Sequence, residues 1–284
     1  MAEDGVRGRG ELSQRVISAL VMAALALALA WLGGAPFFLI WLLLALAVSH
    51  EWHRIVAAPS PILSTAIVAA TLVAGFVPLI AGMPSPLLLF FGCVILGAAV
   101  LAGFAREGHR IWTAAGLPYA AAVFMPTVLL RGMPGSEGAG QGGVAVLFLY
   151  AAVWSTDIGA YFAGRRFGGP KFAPRISPKK TWSGVVGGLV AGVAAALLLL
   201  VVAGYPVRSW HALVALLLGC AVVFGDLFES FIKRRFGVKD AGSLIPGHGG
   251  FMDRLDGYVF AVLLAAGIGL ARGGLGDVAG GLLR

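Results

Sequence analysis

The sequence predicts an all-α polytopic membrane protein of about nine transmembrane helices, and three observations lead there. The first is composition: 59% of the 284 residues are hydrophobic and only 12% are charged. A soluble domain carries about 25% charged residues, and its surface scales too slowly with mass to hide so much apolar area. The second is segmentation, because the apolar residues fall in runs near the roughly 20 that cross a hydrocarbon core. The third is the placement of charge. Lys and Arg number 21 against 13 Asp and Glu, and they sit in short connections between apolar runs. That is the positive-inside pattern, which excludes nucleic acid as the reason for the basic balance.

Taken in order, the first span, 16–33, follows Arg7, Arg9 and Arg15 and resembles the start of a signal peptide. A second apolar run resumes just after Trp31, so a retained anchor is expected. The second span, 35–49, is short, with little tilt or a partly re-entrant course expected. It ends in Ser49, His50, Glu51, Trp52 and His53, read as interfacial anchoring, with substrate contact as the alternative. Spans 61–82, 84–104 and 111–130 follow; Pro78, Pro118 and Pro126 lie within spans, where neighbouring helices can satisfy the carbonyls a proline frees. Spans 142–163 and 182–203 come next, and Gly184, Gly187, Gly188 and Gly192 in the latter have the spacing of close helix packing. Spans 210–231 and 257–272 complete the set, and the Gly-rich stretch 131–143 reads as a flexible external loop. Cys93 and Cys220 lie inside apolar runs and read as plain buried thiols.

With the N-terminus cytoplasmic, 17 of the 21 Lys and Arg fall on the cytoplasmic side. The richest connections there are 164–181 and 232–256. The chain divides on this reading into an N-terminal part, 1–141, holding five spans and few polar residues, and a C-terminal part, 142–284, holding the chemistry.

Ionisable groups inside spans are costly and mark function by default. Asp157 lies in the sixth span, and Tyr161, four residues on, shares its helix face. In the eighth, Asp226, Glu229, Ser230 and Lys233 recur at three- and four-residue steps, forming one polar stripe that must face protein or water. An internal ion pair that merely holds helices together is the alternative for this stripe. The following loop carries Lys239, Asp240, His248, Asp253, Arg254 and Asp256 among glycines that let a backbone approach a ligand. Carboxylates beside Lys and Arg suit phosphoryl chemistry: oxygen ligands hold a hard cation such as Mg²⁺, and basic side chains neutralise the remaining phosphate charge. The connection 164–181 adds six cations, Lys180 among them, and no acid; anionic headgroups attract such stretches in any case. No Gly-x-x-x-x-Gly-Lys-Ser/Thr motif is present, so a P-loop is not supported.

These residues resemble the phosphatidate cytidylyltransferase (CDP-diglyceride synthase) family. Its signature is matched in spacing by Ser230, Lys233-Arg234, Lys239-Asp240, Pro246, His248-Gly249-Gly250, Asp253-Arg254 and Asp256. Upstream, Asp157, Ala160-Tyr161, Gly164-Arg165, Phe167-Gly168, Lys171, Ser177-Pro178, Lys180 and Thr181 resemble it too, so the likeness covers roughly the C-terminal half. One departure stands out: Ser183 occupies a position where the family usually has Glu. The resemblance implies attack of a phosphatidic acid phosphate oxygen on the α-phosphorus of CTP, with pyrophosphate leaving. It implies Mg²⁺ as cofactor, admits K⁺ beside it, and nominates Asp226 and Asp253 as metal ligands with Asp256 supporting. Lys180, Lys233, Arg234 and Lys239 become candidates for the phosphates, and Ser230 and His248 for hydrogen bonds to substrate; Asp157, Tyr161, Asp240 and Arg254 complete the substrate-binding set. Diacyl tails in hydrocarbon and a nucleotide in water call for a polar funnel open to the cytoplasm and bilayer, lined by the sixth, eighth and ninth spans. An inner cell membrane is the expected location, and a homodimer is compatible with it.

Two rivals remain at this level. A CTP-dependent polyprenol or lipid kinase would move the γ-phosphoryl group and release CDP; the complete Lys239-Asp240 to Asp253-Arg254-Leu255-Asp256 signature favours nucleotidyl transfer. A secondary transporter would place polar residues midway in both halves, whereas here they gather in one.

Overall fold

The computed structural model describes residues 20–133, 139–242 and 249–284. Apolar runs become helices because a backbone in hydrocarbon must satisfy its own hydrogen bonds. Helix α1 is Leu20–Leu32, shorter than its predicted span, whose first residues lie outside those described. Then come α2 (Gly34–Ile55), α3 (Pro61–Ile80), α4 (Pro86–Phe104), α5 (Arg110–Arg131) and α6 (Ala139–Phe167). A hairpin of β1 (Lys171–Ala173) and β2 (Ser177–Thr181) precedes α7 (Trp182–Val202), α8 (Ser209–Arg235), α9 (Met252–Gly273) and the terminal α10 (Val278–Leu283). Eight of the described helices, α2 to α9, are long and apolar enough to cross a membrane.

The bundle has two distinct ends. At one, α2 closes on α5: the Trp52 indole donates to the Trp112 carbonyl at 2.8 Å, and a His53 ring nitrogen meets the Thr113 carbonyl at 3.1 Å. The end of α6, the hairpin, the end of α8 and the start of α9 share this end. At the other, Gly33 and Gly34 take positive φ of 64° and 66° to reverse the chain between α1 and α2, a conformation glycine adopts without steric cost. Arg131 donates there to the carbonyls of Ala30 and Trp31 at 2.7 and 3.0 Å, satisfying carbonyls that a helix end leaves open.

Several expectations are corrected. The second span is a complete helix of 22 residues, because Ser49 and His53 stay in register one turn apart, with the His53 ring 2.7 Å from the Ser49 carbonyl. Four of the five residues of the polar cluster at its end are buried rather than interfacial: Ser49, Glu51, Trp52 and His53 are 0–1% exposed, and His50 is half-buried. Helix α8 runs on to Arg235 and α9 begins at Met252, so the expected span limits of 231 and 257 fall short and Lys233, Asp253 and Asp256 lie within the helices. The connection 164–181 contains a two-stranded antiparallel ladder pairing Lys171 with Thr181. The buried C-terminal α10 has no counterpart among the expected spans.

Candidate active site

Glycines set the spacing of the helices that carry the acidic residues. Gly225 of α8 lies so close to α9 that a Cβ there would sit 2.9 Å from the Gly257 Cα; one on Gly257 would sit 2.8 Å from Val222 Cγ1. Each glycine is the sequence neighbour of an aspartate, Asp226 and Asp256, so this contact carries both carboxylates into one region. On the other side α6 and α7 are the most extensively packed helix pair. A Cβ on Gly188 would lie 2.6 Å from the Thr156 carbonyl, and one on Gly192 would lie 2.9 Å from that of Ala152. The α7 glycines thus serve close packing, as their spacing implies. Asp157, next to Thr156, faces Asp226 and Asp256 electrostatically, with Lys180 and Arg254 supplying the opposing field.

Two linked charge clusters result. In the outer one, the hairpin delivers Lys180 to Asp226, Nζ to Oδ2 at 2.6 Å, while the Ser230 hydroxyl donates weakly to Oδ1 at 3.4 Å. Thr181, closing the hairpin, caps α7 by accepting the Gly184 N–H at 3.2 Å. Ser183 donates to the Gly168 carbonyl and contacts Thr181 Oγ1 at 3.1 Å, so it ties down the hairpin base. In the inner cluster, Lys233 bridges Glu229 Oε2 at 2.7 Å and Asp253 Oδ1 at 2.8 Å. Asp253 also accepts the N–H groups of Ala241 (3.1 Å) and Gly250 (2.9 Å) on Oδ2. Its oxygens therefore organise the chain before α9.

The sequence-predicted residues divide accordingly. Lys180, Asp226 and Ser230 meet, as do Lys233 and Asp253; Asp157, Asp256 and Arg254 lie within electrostatic reach of that centre. Tyr161 is 58% exposed on α6 and accepts from Arg165 Nη1 at 2.9 Å. Arg234, Lys239 and Asp240 are exposed at the same end of the bundle. His248 lies outside the described residues.

One participant was missed. Glu51 of α2 reaches across the bundle to accept the N–H groups of Phe251 and Met252 at 3.0 and 2.8 Å, at the start of α9. The available signal was an ionisable residue within an apolar helix, which by default points to function.

The donor set suits a hard cation. Asp157, Asp226, Glu229, Asp253 and Asp256 face Lys180, Lys233 and Arg254, so acidic groups outnumber basic ones by two. Among the described residues no three acidic, cysteine or histidine side chains form a ready-made cage. Mg²⁺ does not need one, because one or two carboxylates suffice when water and substrate phosphates complete its shell. Asp226 and Asp256 are the better-disposed carboxylates, since Asp256 spends Oδ1 on the Gly257 N–H at 2.7 Å and Asp226 holds one long hydrogen bond besides Lys180.

The fold and this centre define a class: an integral membrane protein with a carboxylate–lysine site, rich in oxygen donors, at one end of its helix bundle. The family model described as the cytidylyltransferase family matches residues 13–269, and the chain belongs to that family. The chain is 42% identical over 253 residues to a phosphatidate cytidylyltransferase of Brucella suis, covering 89% of this chain and 91% of that protein. It is 36% identical over 280 residues to the phosphatidate cytidylyltransferase of Pseudomonas aeruginosa, covering 91% and 99%. A shorter match to the phosphatidate cytidylyltransferase of Staphylococcus saprophyticus, 42% over 120 residues, covers 42% of this chain and 46% of that one.

Proposed function

We propose that this protein transfers the cytidylyl group of CTP to phosphatidic acid, giving CDP-diacylglycerol and pyrophosphate in phospholipid biosynthesis. The reading is carried by the meeting of Lys180 and Asp226 at 2.6 Å, from the two segments where the family's motifs lie, beside Lys233 and Asp253. An oxygen of the phosphatidate phosphate forms the new bond to the α-phosphorus, and the bond from that phosphorus to the bridging oxygen of the β-phosphate breaks. No base is required, because the attacking phosphate is already ionised near neutral pH. Positioning and charge stabilisation then supply most of the rate.

Each group has a place in this scheme. Lys180 exchanges Asp226 for a phosphate oxygen when substrate enters, and Arg254, Arg234 and Lys239 add positive charge along the nucleotide's path. Lys233 stays fixed between Glu229 and Asp253 and presents its field to the phosphates. Asp226 and Asp256 would hold Mg²⁺, with Asp253 ordering the adjoining chain; the ion supplies charge neutralisation between two polyanions. Ser230 orients Asp226 or donates to substrate. The end of the bundle bearing these groups is cytoplasmic in this reading, supported by the sequence, in which 17 of 21 Lys and Arg fall in segments assigned to the cytoplasmic side, and the membrane is the inner cell membrane.

The test is incubation of purified protein with phosphatidic acid, CTP and Mg²⁺, followed by lipid and nucleotide analysis. CDP-diacylglycerol and pyrophosphate in equal amounts are expected. Release of CDP with a phosphorylated lipid would make it a kinase, and no lipid product at all would sink the reading.

A further inference from the structure

Glu51 is 1% exposed, yet it belongs to α2, 200 residues away in sequence from the segment it binds. Its two oxygens are spent separately, Oε1 on the Phe251 N–H and Oε2 on the Met252 N–H. These are orphan donors at the N-terminus of α9, and a carboxylate there also complements the helix dipole. Two glycines make the approach possible. A Cβ on Gly242 would lie 2.7 Å from Glu51 Oε1, and one on Gly250 would lie 2.5 Å from Oε2. Only backbone without side chains fits against this carboxylate. The helix it anchors carries Asp253 and Asp256 in its first turns, and Gly250 is also the donor to Asp253 Oδ2. Glu51 and Asp253 therefore hold the same short stretch, accepting between them the N–H groups of Gly250, Phe251 and Met252.

We infer that Glu51 is a positioning residue of the reaction proposed above: it fixes the start of α9, and through it the placement of Asp253 and Asp256, from the otherwise apolar N-terminal helices. The inference rests on that reading. Loss of Glu51 leaves the helix formed but lets its first turn shift, which costs catalysis and cation affinity more than it costs lipid binding.

The experiment compares Glu51→Gln, Glu51→Ala and Gly250→Ala with His53→Gln in the full-length protein. His53 joins α2 to α5 through Thr113 and touches none of the site. Glutamine keeps the size of Glu51 but sets an NH₂ donor against one of the two N–H groups. The Glu51 variants should lower kcat and raise the Mg²⁺ concentration for half-maximal activity, each by roughly 10- to 100-fold, as loss of a partner that orients a ligand does. The KM for phosphatidic acid should move little. Gly250→Ala, which pushes the carboxylate away from the other side, should reproduce the effect. His53→Gln should lower the melting temperature and leave kcat unchanged. Hydrogen exchange read independently of turnover should show faster exchange of the Phe251 and Met252 amides in Glu51→Gln. Wild-type kcat and Mg²⁺ dependence in folded Glu51→Gln, whatever its melting temperature, would overturn the inference, as would unchanged exchange at those two amides. An inactive wild type would instead sink the proposed reaction, while the exchange result would still decide whether Glu51 holds the helix.

Discussion

Two lysines at the same end of the bundle hold carboxylates at almost the same distance and in very different ways. Lys180 meets Asp226 at 2.6 Å, with the Asp226 side chain 34% exposed. Lys233 meets Glu229 at 2.7 Å and Asp253 at 2.8 Å, with those carboxylates only 2% and 13% exposed. The first pair is a single contact between a hairpin and a helix, open to an incoming anion. The second is a three-membered knot whose two carboxylates are shielded from water, while Lys233, at 16%, is about as exposed as Lys180, at 14%. A pair with one partly exposed carboxylate keeps water as an alternative partner and costs less to break, whereas removing one partner of a buried pair strands the others. The outer pair is thus suited to exchange partners during a reaction, and the inner one to hold its frame.

The largest effect that would sharpen this contrast is in Asp226→Ala. Turnover should fall roughly 100- to 1,000-fold, the cost of losing one preorganised electrostatic group, while the melting temperature of the detergent-solubilised protein barely moves. A stable but fully active variant would break the assignment of the outer pair to chemistry. Next, Lys233→Met should destabilise the fold by about 3 kcal/mol, because Glu229 and Asp253 are left facing each other without a cation. Chemical denaturation in mixed micelles reads that loss, and a melting point equal to wild type would dissolve the distinction between the pairs. Lys180→Ala should raise the KM for CTP or phosphatidic acid by roughly 10- to 100-fold, the worth of one or two hydrogen bonds to a charged group, with little change in stability. The smallest effect belongs to Tyr161→Phe. Its exposed hydroxyl contacts Arg165, so turnover should stay within about twofold of wild type, as surface changes do.

The same contrast explains what could be read in the sequence. Spans such as 61–82 and 182–203 were plain, because unbroken apolar runs have one stable state in lipid. Helix ends were not. The turns that carry Lys233 and Asp253 are polar because they build the site, so hydropathy ended α8 at 231 and began α9 at 257, whereas the helices run to Arg235 and from Met252. Spacing within one helix revealed the stripe Asp226, Glu229, Ser230 and Lys233, yet it could not say that Lys180 would choose Asp226, or Lys233 the pair Glu229 and Asp253. Those choices depend on glycine contacts such as Gly225 against Gly257 that set how near two helices come. Glu51 was hidden for a related reason. A lone acid beside His50, Trp52 and His53 has the look of an interfacial residue, and only the folded chain reveals the backbone N–H groups it serves. The family motif identified the chemistry from its own residues, but it could not reveal a support contributed by the hydrophobic half.

The most direct test of the central claim is binding of Mn²⁺, in place of Mg²⁺, followed by electron paramagnetic resonance with CTP present, in wild type and in Asp226→Asn. A saturable site with coupling to phosphorus in the wild type, weakened at least about tenfold in the variant, is the predicted result. Equal Mn²⁺ affinity in the two proteins would contradict the account, since Asp226 would then have no part in holding the cation between the phosphates.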